Sequence, residues 1–511
     1  MAQGPTLAEY FQRAGIERFP AFAPFVRLLH NPFQTQVESL SLCVHHQWYG
    51  VLDETGAGKT IPVVGAALHY IGLGNKVVVI TLATLIYQFA ESVVEQFQGV
   101  DKYVRVHVLD ERPAARSALV EQWDNEGWPE MLVLSYELFA HHKLHELLKA
   151  KGYDVLITDE SQKWKSPSCT LAKRIRAYVG DPLNPDTAFL PMTGTPMHTY
   201  LTDCYTLMTF LSPGAYLSYE HFERRHCVFK LVKLPKPIIT AAGKRITRVK
   251  KLKGYKRHAE LSANLYAKAR RVLKSQIPEL RELKEPIITE VPVKLSPAHR
   301  ELYRKLTVER FLDMGDGTIL TALQEQDLRQ KTLQIVTCPE LFLQEGQTID
   351  NQVLAACRTL VEGECTESKV ILFVNFRETV ARYAEFFADL NPATMNGDLS
   401  ANQRKAMTEK FLHDPTCRLL VANPRSAGAG FNFQSVSHTV IFAEPTGSPG
   451  EFKQAMDRVV RPGQLWQCNI YVLKALETLA PNSIQNMLRR DRDIGMVTLD
   501  PRTLRHYYNV A

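Results

Sequence analysis

The stretch Val51 to Thr60, VLDETGAGKT, constrains this chain more than any other. An apolar run, WYGVL, leads into a loop with Gly56 and Gly58 that ends in Lys59-Thr60. Backbone N–H groups of such a loop can face phosphate oxygens, with the lysine ammonium reaching the β- and γ-phosphates and the threonine hydroxyl ligating Mg²⁺. The strict pattern GxxxxGK[ST] wants glycine where this chain has Asp53, so the match is partial and the rest of the sequence must be weighed with it.

With 511 residues and 45% hydrophobic content, the chain can form two or three domains with separate cores. Nine cysteines occur without a CxxC pair, which suggests neither a zinc site nor a disulfide framework and fits a reducing compartment. No stretch resembles a signal peptide or reaches bilayer-spanning length, so we expect a soluble cytoplasmic protein with no membrane partner. The run KKLKGYKR would also suit nuclear targeting.

The net charge is +7, yet eleven Lys and Arg residues and no acid lie between Lys230 and Arg257. The rest of the chain is therefore net acidic. Alternation around Ala241-Ala242-Gly243-Lys244 predicts a basic β-hairpin carrying Lys244, Arg245, Arg248, Lys250 and Lys251. Such a stripe suits a phosphate backbone, since neutralising phosphates releases counterions; the plainer alternative is a solvated basic loop.

About 100 residues after the loop, GYDVLITDESQKWK places Asp159 and Glu160 at the end of an apolar strand. Asp159 there would hold Mg²⁺, and Glu160 would orient or deprotonate an attacking water. FLPMTGTP ends a further apolar run in Thr193-Gly194-Thr195-Pro196, small residues suited to linking a nucleotide site to a neighbouring lobe by short hydrogen bonds, though by themselves they read as a turn. In EFKQAMDRVVRPGQ, Gln454, Arg458 and Arg461 stand at i, i+4 and i+7, which predicts one helix face with two arginines able to stabilise charge developing on a γ-phosphoryl group. The strands KVILFVNF, RLLVAN and HTVIFAE around SAGAGF indicate a second α/β domain.

Taken in order, these motifs resemble the Swi/Snf branch of superfamily 2 helicase-type ATPases. DETGAGKT, which accounts for Asp53, is followed by LSYE, DESQ, TGTP and TFLSP, then by LSPAHRELY, AGAGFNF and QAMDRVVRPGQ. Pro32-Phe33-Gln34 matches an element whose glutamine reads adenine, so the resemblance makes Gln34 an adenine contact. It implies two RecA-like lobes, with ATP between Lys59 and Thr60 on one side and Gln454, Arg458, Arg461 and Gly430 on the other. It further implies nucleic-acid grips at Thr81 to Thr84, Ser135-Tyr136, Asn375-Phe376 and Ser426 to Gly430, and coupling through Gln162, Thr193, Gly194 and Thr195. Gln162 stands where the family has histidine, and YAKARRVLKSQIPEL only loosely matches the family's Leu-Arg-Arg-x-Lys stretch.

The expected layout is an N-terminal extension (1–30), a first RecA-like lobe (31–213) completed by a strand at 287–295, and an insertion (214–286) with the basic hairpin and a helix around Ala259 to Leu280. A helical linker (296–360), a second lobe (361–475) and a tail (476–511) that packs back as a helix complete it. The short flanks favour a minimal motor, monomeric, moving on double-stranded or branched DNA without strong sequence preference. A strand-separating or branch-migrating helicase is the variant within that class, and an ATP-switched nucleic-acid-binding or loading protein the alternative from another class. DNA over RNA follows from the resemblance alone.

Overall fold

The computed structural model describes residues 4–141, 144–181, 186–239, 245–280, 282–309, 311–313, 319–321, 325–344, 346–366, 368–427, 432–444 and 446–498. The chain forms two compact units: one runs to Pro278 and takes in Asp493–Pro501, the other covers Glu279–Arg492. The tail is the helix Ala480–Thr498, whose Ile494 and Val497 belong to the first unit's core.

The first unit is built on a parallel sheet. Its strands are β1 (Gly50–Val51), β2 (Val77–Thr81), β3 (Val106–Leu109), β4 (Met131–Ser135), β5 (Val155–Thr158) and β6 (Ala188–Pro191). The order is β3-β4-β2-β5-β6, and parallel bridges Trp48↔Phe189 and Val51↔Met192 bring β1 alongside β6. Strand β2 reads VVVIT because both of its faces are covered: Val77 and Val79 join one core cluster, Val78 and Ile80 the other.

The expected hairpin is present as β7 (Cys227–Ile239) against β8 (Arg245–Tyr255). Its turn, including Lys244, lies outside the described residues. The ladder skips 234–237, where Pro235 and Pro237 have no N–H to offer. After it, the helix expected over Ala259 to Leu280 stops at Leu265, and the chain instead makes a short strand, β9 (Ala269–Arg270).

Strand β9 corrects the expected layout. It pairs in parallel with β1, beside the phosphate-type loop. The strand expected to complete the first lobe, here β10 (Ile287–Val293), instead forms the edge of the second unit's sheet and pairs along its whole length with Asn469–Ala475, Ile287 opposite Asn469 through Val293 opposite Ala475. Seven parallel rungs outweigh any alternative for β10, and the hydrogen-bonding edge of β1 is already filled by β9.

The second unit's sheet contains β10, β11 (Lys369–Phe373), β12 (Ala393–Met395), β13 (Leu419–Ala422), β14 (Ser437–Phe442) and β15 (Asn469–Ala475), all parallel, in the order β10-β15-β14-β11-β13-β12. Again two clusters sandwich it: Ile371 and Phe373 face one, Val370 and Leu372 the other. The α/β fold with two sheet-centred lobes is thus as expected. Among the described residues no helix is long and apolar enough to cross a membrane.

Candidate nucleotide site and nucleic-acid surfaces

The loop after β1 turns through Gly56 (φ 84°) and Gly58 (φ 83°), left-handed positions that favour glycine. A Cβ on Gly58 would sit 2.2 Å from the Gln36 amide nitrogen. Gln36 is buried; it donates to the Gly58 carbonyl (3.1 Å) and accepts from the Phe33 N–H (2.8 Å). Sequence reading missed Gln36, although its place three residues after the helix cap Phe33 is a capping position. Gln34 is exposed and its amide donates to Glu38 (3.4 Å).

Lys59 precedes the helix Thr60–Gly72, so Thr60 opens a helix N-terminus where backbone donors and dipole favour an anion. The Lys59 ammonium donates to the Glu54 carbonyl (3.2 Å). Burial pulls its pKa down, while the charges of Glu160, Asp53 and Asp159 pull it back up.

Asp53 and Glu54 fasten this loop to the segment around β9. Buried Asp53 accepts from the Val272 N–H (2.7 Å), and Glu54 accepts from the Lys274 N–H (2.7 Å) while its own N–H reaches the Val272 carbonyl (2.8 Å). The Arg271 guanidinium donates to the Leu52 (2.7 Å) and Gly194 (3.2 Å) carbonyls. The loosely matching RRVLK stretch is therefore the loop's clasp. Its signal in the sequence was weak because three of these bonds use backbone atoms, which any residue supplies.

Asp159 and Glu160 follow β5 as expected. Asp159 accepts from the Thr81 hydroxyl (3.0 Å) and from the Glu160 N–H (3.0 Å). Burial, then the Glu160 charge, raises its pKa to about 7. Glu160 has φ 55° and ψ 50°, a left-handed conformation that costs a non-glycine residue about 1–3 kcal/mol and marks functional sites. Its carboxylate accepts from the Gln162 amide (2.6 Å), whose oxygen accepts from the Thr193 hydroxyl (2.5 Å). The Thr193 oxygen in turn accepts from the Thr195 N–H (3.0 Å). The Gln162 NH₂ thus faces the carboxylate and its C=O the hydroxyl, an orientation the acceptor-only carboxylate dictates. Gly194 lies against the loop, since a Cβ there would come within 2.3 Å of the Thr55 hydroxyl.

Two expected nucleic-acid contacts belong elsewhere. Tyr136 is 1% exposed and its hydroxyl donates to the Asp159 carbonyl (2.6 Å), so it braces the acidic turn. Thr81 is fully buried against Asp159. Ser135 caps the short helix Tyr136–Phe139 by accepting from the Leu138 N–H (3.1 Å). Thr84 stands half-buried in the turn after β2.

In the second unit, the helix Pro449–Met456 carries Gln454 but ends before both arginines. Pro462 disfavours helical geometry at Arg461, and Gly463 follows at φ 88°. Arg458 and Arg461 consequently stand in the turn beyond the helix rather than on its face. Arg458 is buried and keeps the i,i+4 relation through its Nε–H, which donates to the Gln454 carbonyl (3.0 Å). Arg461 donates to Asn432, and burial lowers its pKa against the charge of Asp457. The Asn375 N–H donates to buried Glu444 (2.7 Å), whose pKa burial raises to about 8. Gly430 and the Ser426 side chain lie outside the described residues. Arg245, Arg248, Lys250 and Lys251 are exposed on β8.

The donors present suit Mg²⁺, which takes one or two carboxylates and completes its shell with water and phosphate: Thr60 and Asp159 would hold it. Among the described residues there is no cluster of three or more His, Cys, Asp or Glu residues that would bind a metal unaided.

Comparison with known proteins agrees with these motifs. The SNF2-related domain family matches residues 35–351, and the helicase conserved C-terminal domain matches residues 352–463. YwqA of Bacillus subtilis is 25% identical over 453 residues, covering 85% of this chain and 45% of that protein. The mouse DNA annealing helicase and endonuclease ZRANB3 is 24% identical over 465 residues, covering 88% and 39%. The chain thus spans less than half the length of these curated relatives. The SWI2/SNF2 ATPase core of Sulfolobus solfataricus, solved with double-stranded DNA, is similar at 19% identity and a TM-score of 0.37, covering 93% of this chain and 94% of that one. With the SNF2-related match extending over more than half of its residues and the helicase conserved C-terminal domain following it, this chain belongs to the SNF2-related domain family.

Proposed function

We propose that this chain is a DNA-dependent ATPase that couples ATP hydrolysis to movement along double-stranded or branched DNA. The observation that carries the reading is the bonded series Glu160–Gln162–Thr193–Thr195, laid against the phosphate-type loop through Gly194. A site that only held nucleotide would have no need of a water-orienting carboxylate in a strained backbone position, tied by hydrogen bonds to the next strand end. Relatives named as DNA helicases, such as ZRANB3 and DDM1, support DNA as the partner.

In this reading the N–H groups around Gly56 and Gly58 receive phosphate oxygens, Lys59 neutralises them, and Gln34 reads the adenine. Mg²⁺, held by Thr60 and ionised Asp159, would offset charge on the β- and γ-phosphates. Glu160 accepts a proton from the attacking water, or orients it. Arg458 and Arg461 supply positive charge as the γ-phosphoryl group leaves. Grips such as Thr84, Ser135 and Asn375 contact phosphates, so binding is largely indifferent to sequence; the motor is proposed to act as a monomer.

ATP hydrolysis by the purified chain, alone and with single-stranded, duplex or forked DNA or RNA, tests this. Strong stimulation by duplex or forked DNA, lost in Lys59→Ala, is the expected result. No stimulation by any nucleic acid would replace the motor with an ATP-switched binding protein, and stimulation by RNA alone would remove DNA from the reading.

A further inference from the structure

The ribbon formed by β7 and β8 carries charge that no acidic side chain among the described residues neutralises. The two strands pair with each other and, among the described residues, with no third strand. Their register puts Lys230 opposite Lys251 and Lys233 opposite Arg248. Like charges directly opposite one another destabilise a ladder. Among the described residues, no ion pair relieves these four side chains; Lys250 beside them only approaches the Phe229 ring, at 5.8 Å.

Alternation along the ladder assigns the pairs to opposite faces. Lys233 and Arg248 share one face with Phe229 and Leu231; Lys230 and Lys251 share the other with Val232. Both faces are solvated, with Leu231 60% exposed. The base, by contrast, is anchored: Arg225 pairs with Glu260 (2.5 Å), the Tyr216 hydroxyl meets the His226 ring (2.6 Å), and the Lys256 N–H donates to the His226 carbonyl (2.9 Å). A rooted arm about 40 Å long, by the usual rise of a 13-residue strand, thus presents unpaired cations on two opposite faces.

We propose that this ribbon is an arm that lies in the groove of a nucleic-acid duplex, an assignment that rests on the DNA-dependent reading above. A flat anionic surface neutralises one face and leaves the other repelling itself. A groove has phosphates along both walls, and the major groove of B-DNA, about 12 Å wide, admits a two-stranded ribbon. Leu231 and Val232, exposed between the charges, then meet sugars and base edges, where apolar contact costs nothing in polar partners.

The test compares the full chain with the variant K230Q/K233Q/R248Q/K251Q for binding a blunt DNA duplex without nucleotide, over a range of salt. Each phosphate contact contributes about 0.9 to the slope of log affinity against log salt, so four lost contacts make the variant's affinity fall about 150-fold less than the parent's between about 50 and 200 mM. The thermal midpoint of the variant stays level or rises, because repulsion is relieved. An unchanged slope overturns the proposal. So does a variant that loses binding to single strands as much as to duplex, or that loses binding to phosphatidylserine vesicles while keeping the duplex. If DNA fails to stimulate hydrolysis while the slope still falls in the variant, the motor reading fails and the arm stands; normal stimulation with an unchanged slope gives the reverse.

Discussion

Replacing Asp53 with glycine would restore the strict GxxxxGKT pattern, and the structure says it would damage the site. Asp53 is 4% exposed and accepts from the Val272 N–H at 2.7 Å, and Val272 is itself buried. Losing a hydrogen bond to a charged group and stranding a buried N–H costs about 1.5–3 kcal/mol. Glycine in the extended segment adds about 0.5–1 kcal/mol through backbone entropy. Against this stands the burial that already pushes the Asp53 carboxyl pKa upward, a desolvation cost that the substitution removes. We expect a net loss of about 2–3 kcal/mol in the first unit, read as a lower urea midpoint and thermal midpoint, together with a raised KM for ATP as the loop loosens. Asp53→Asn keeps the acceptor and should lose less than half as much. If Asp53→Gly matched the parent in midpoint and KM, the clasp through β9 would have no role in holding the loop, and the pattern's glycine would be the better guide.

Asp159, whose pKa burial and Glu160 raise to about 7, must be ionised to ligate Mg²⁺, so the liganded state holds fewer protons than the free one. The affinity for Mg²⁺·ATP should therefore rise up to tenfold per pH unit below about 7 and level off above it; an isothermal titration that is flat across this window would remove Asp159 as the ligand. The same shift acts on folding of the free protein with the opposite sign. The native state keeps this proton until about 7 whereas the unfolded chain releases it near 3.8, so the contribution of Asp159 to stability falls as pH rises between those values. Thr193→Val preserves shape but removes the donor to the half-buried Gln162 oxygen and the hydroxyl that accepts from the buried Thr195 N–H, a loss of about 1–2 kcal/mol. We expect kcat to fall in single-turnover assays with KM unchanged, since the phosphate contacts are untouched; a change in KM alone would place Thr193 in binding.

Much of the candidate site was legible because its chemistry is local in the chain. A loop bearing Gly56, Gly58, Lys59 and Thr60 positions its own backbone donors, and an apolar strand ending in Asp159-Glu160 can deliver both carboxylates only at a strand end. The expectation for TGTP came from small hydroxylated residues next to a strand end that could link the nucleotide site to a neighbouring lobe; Thr193 bonds to Gln162 and Thr195 to Thr193, all within the first unit. The reading failed where a partner is chosen over long range. Tyr136 was expected as a grip residue on the family resemblance alone; its ring is buried and its hydroxyl serves Asp159. Arg458 and Arg461 follow a helical spacing, but the helix ends at Met456, before both of them.

Strand pairing separates the two kinds of information most clearly. IITEVPV was expected as a strand within the layout that the family resemblance implies, and alternation and charge, which are properties of the segment alone, predicted a basic hairpin between Lys230 and Arg257. Which sheet receives a strand is settled by which edge is open and how many rungs can form. Strand β10 finds seven parallel partners on β15, and the edge of β1 goes to β9, two residues with no periodic signature at all. Backbone hydrogen bonds carry no side-chain identity, so the clasp on Asp53 and Glu54 and the Gln36 bond to Gly58 exist only once the chain has folded.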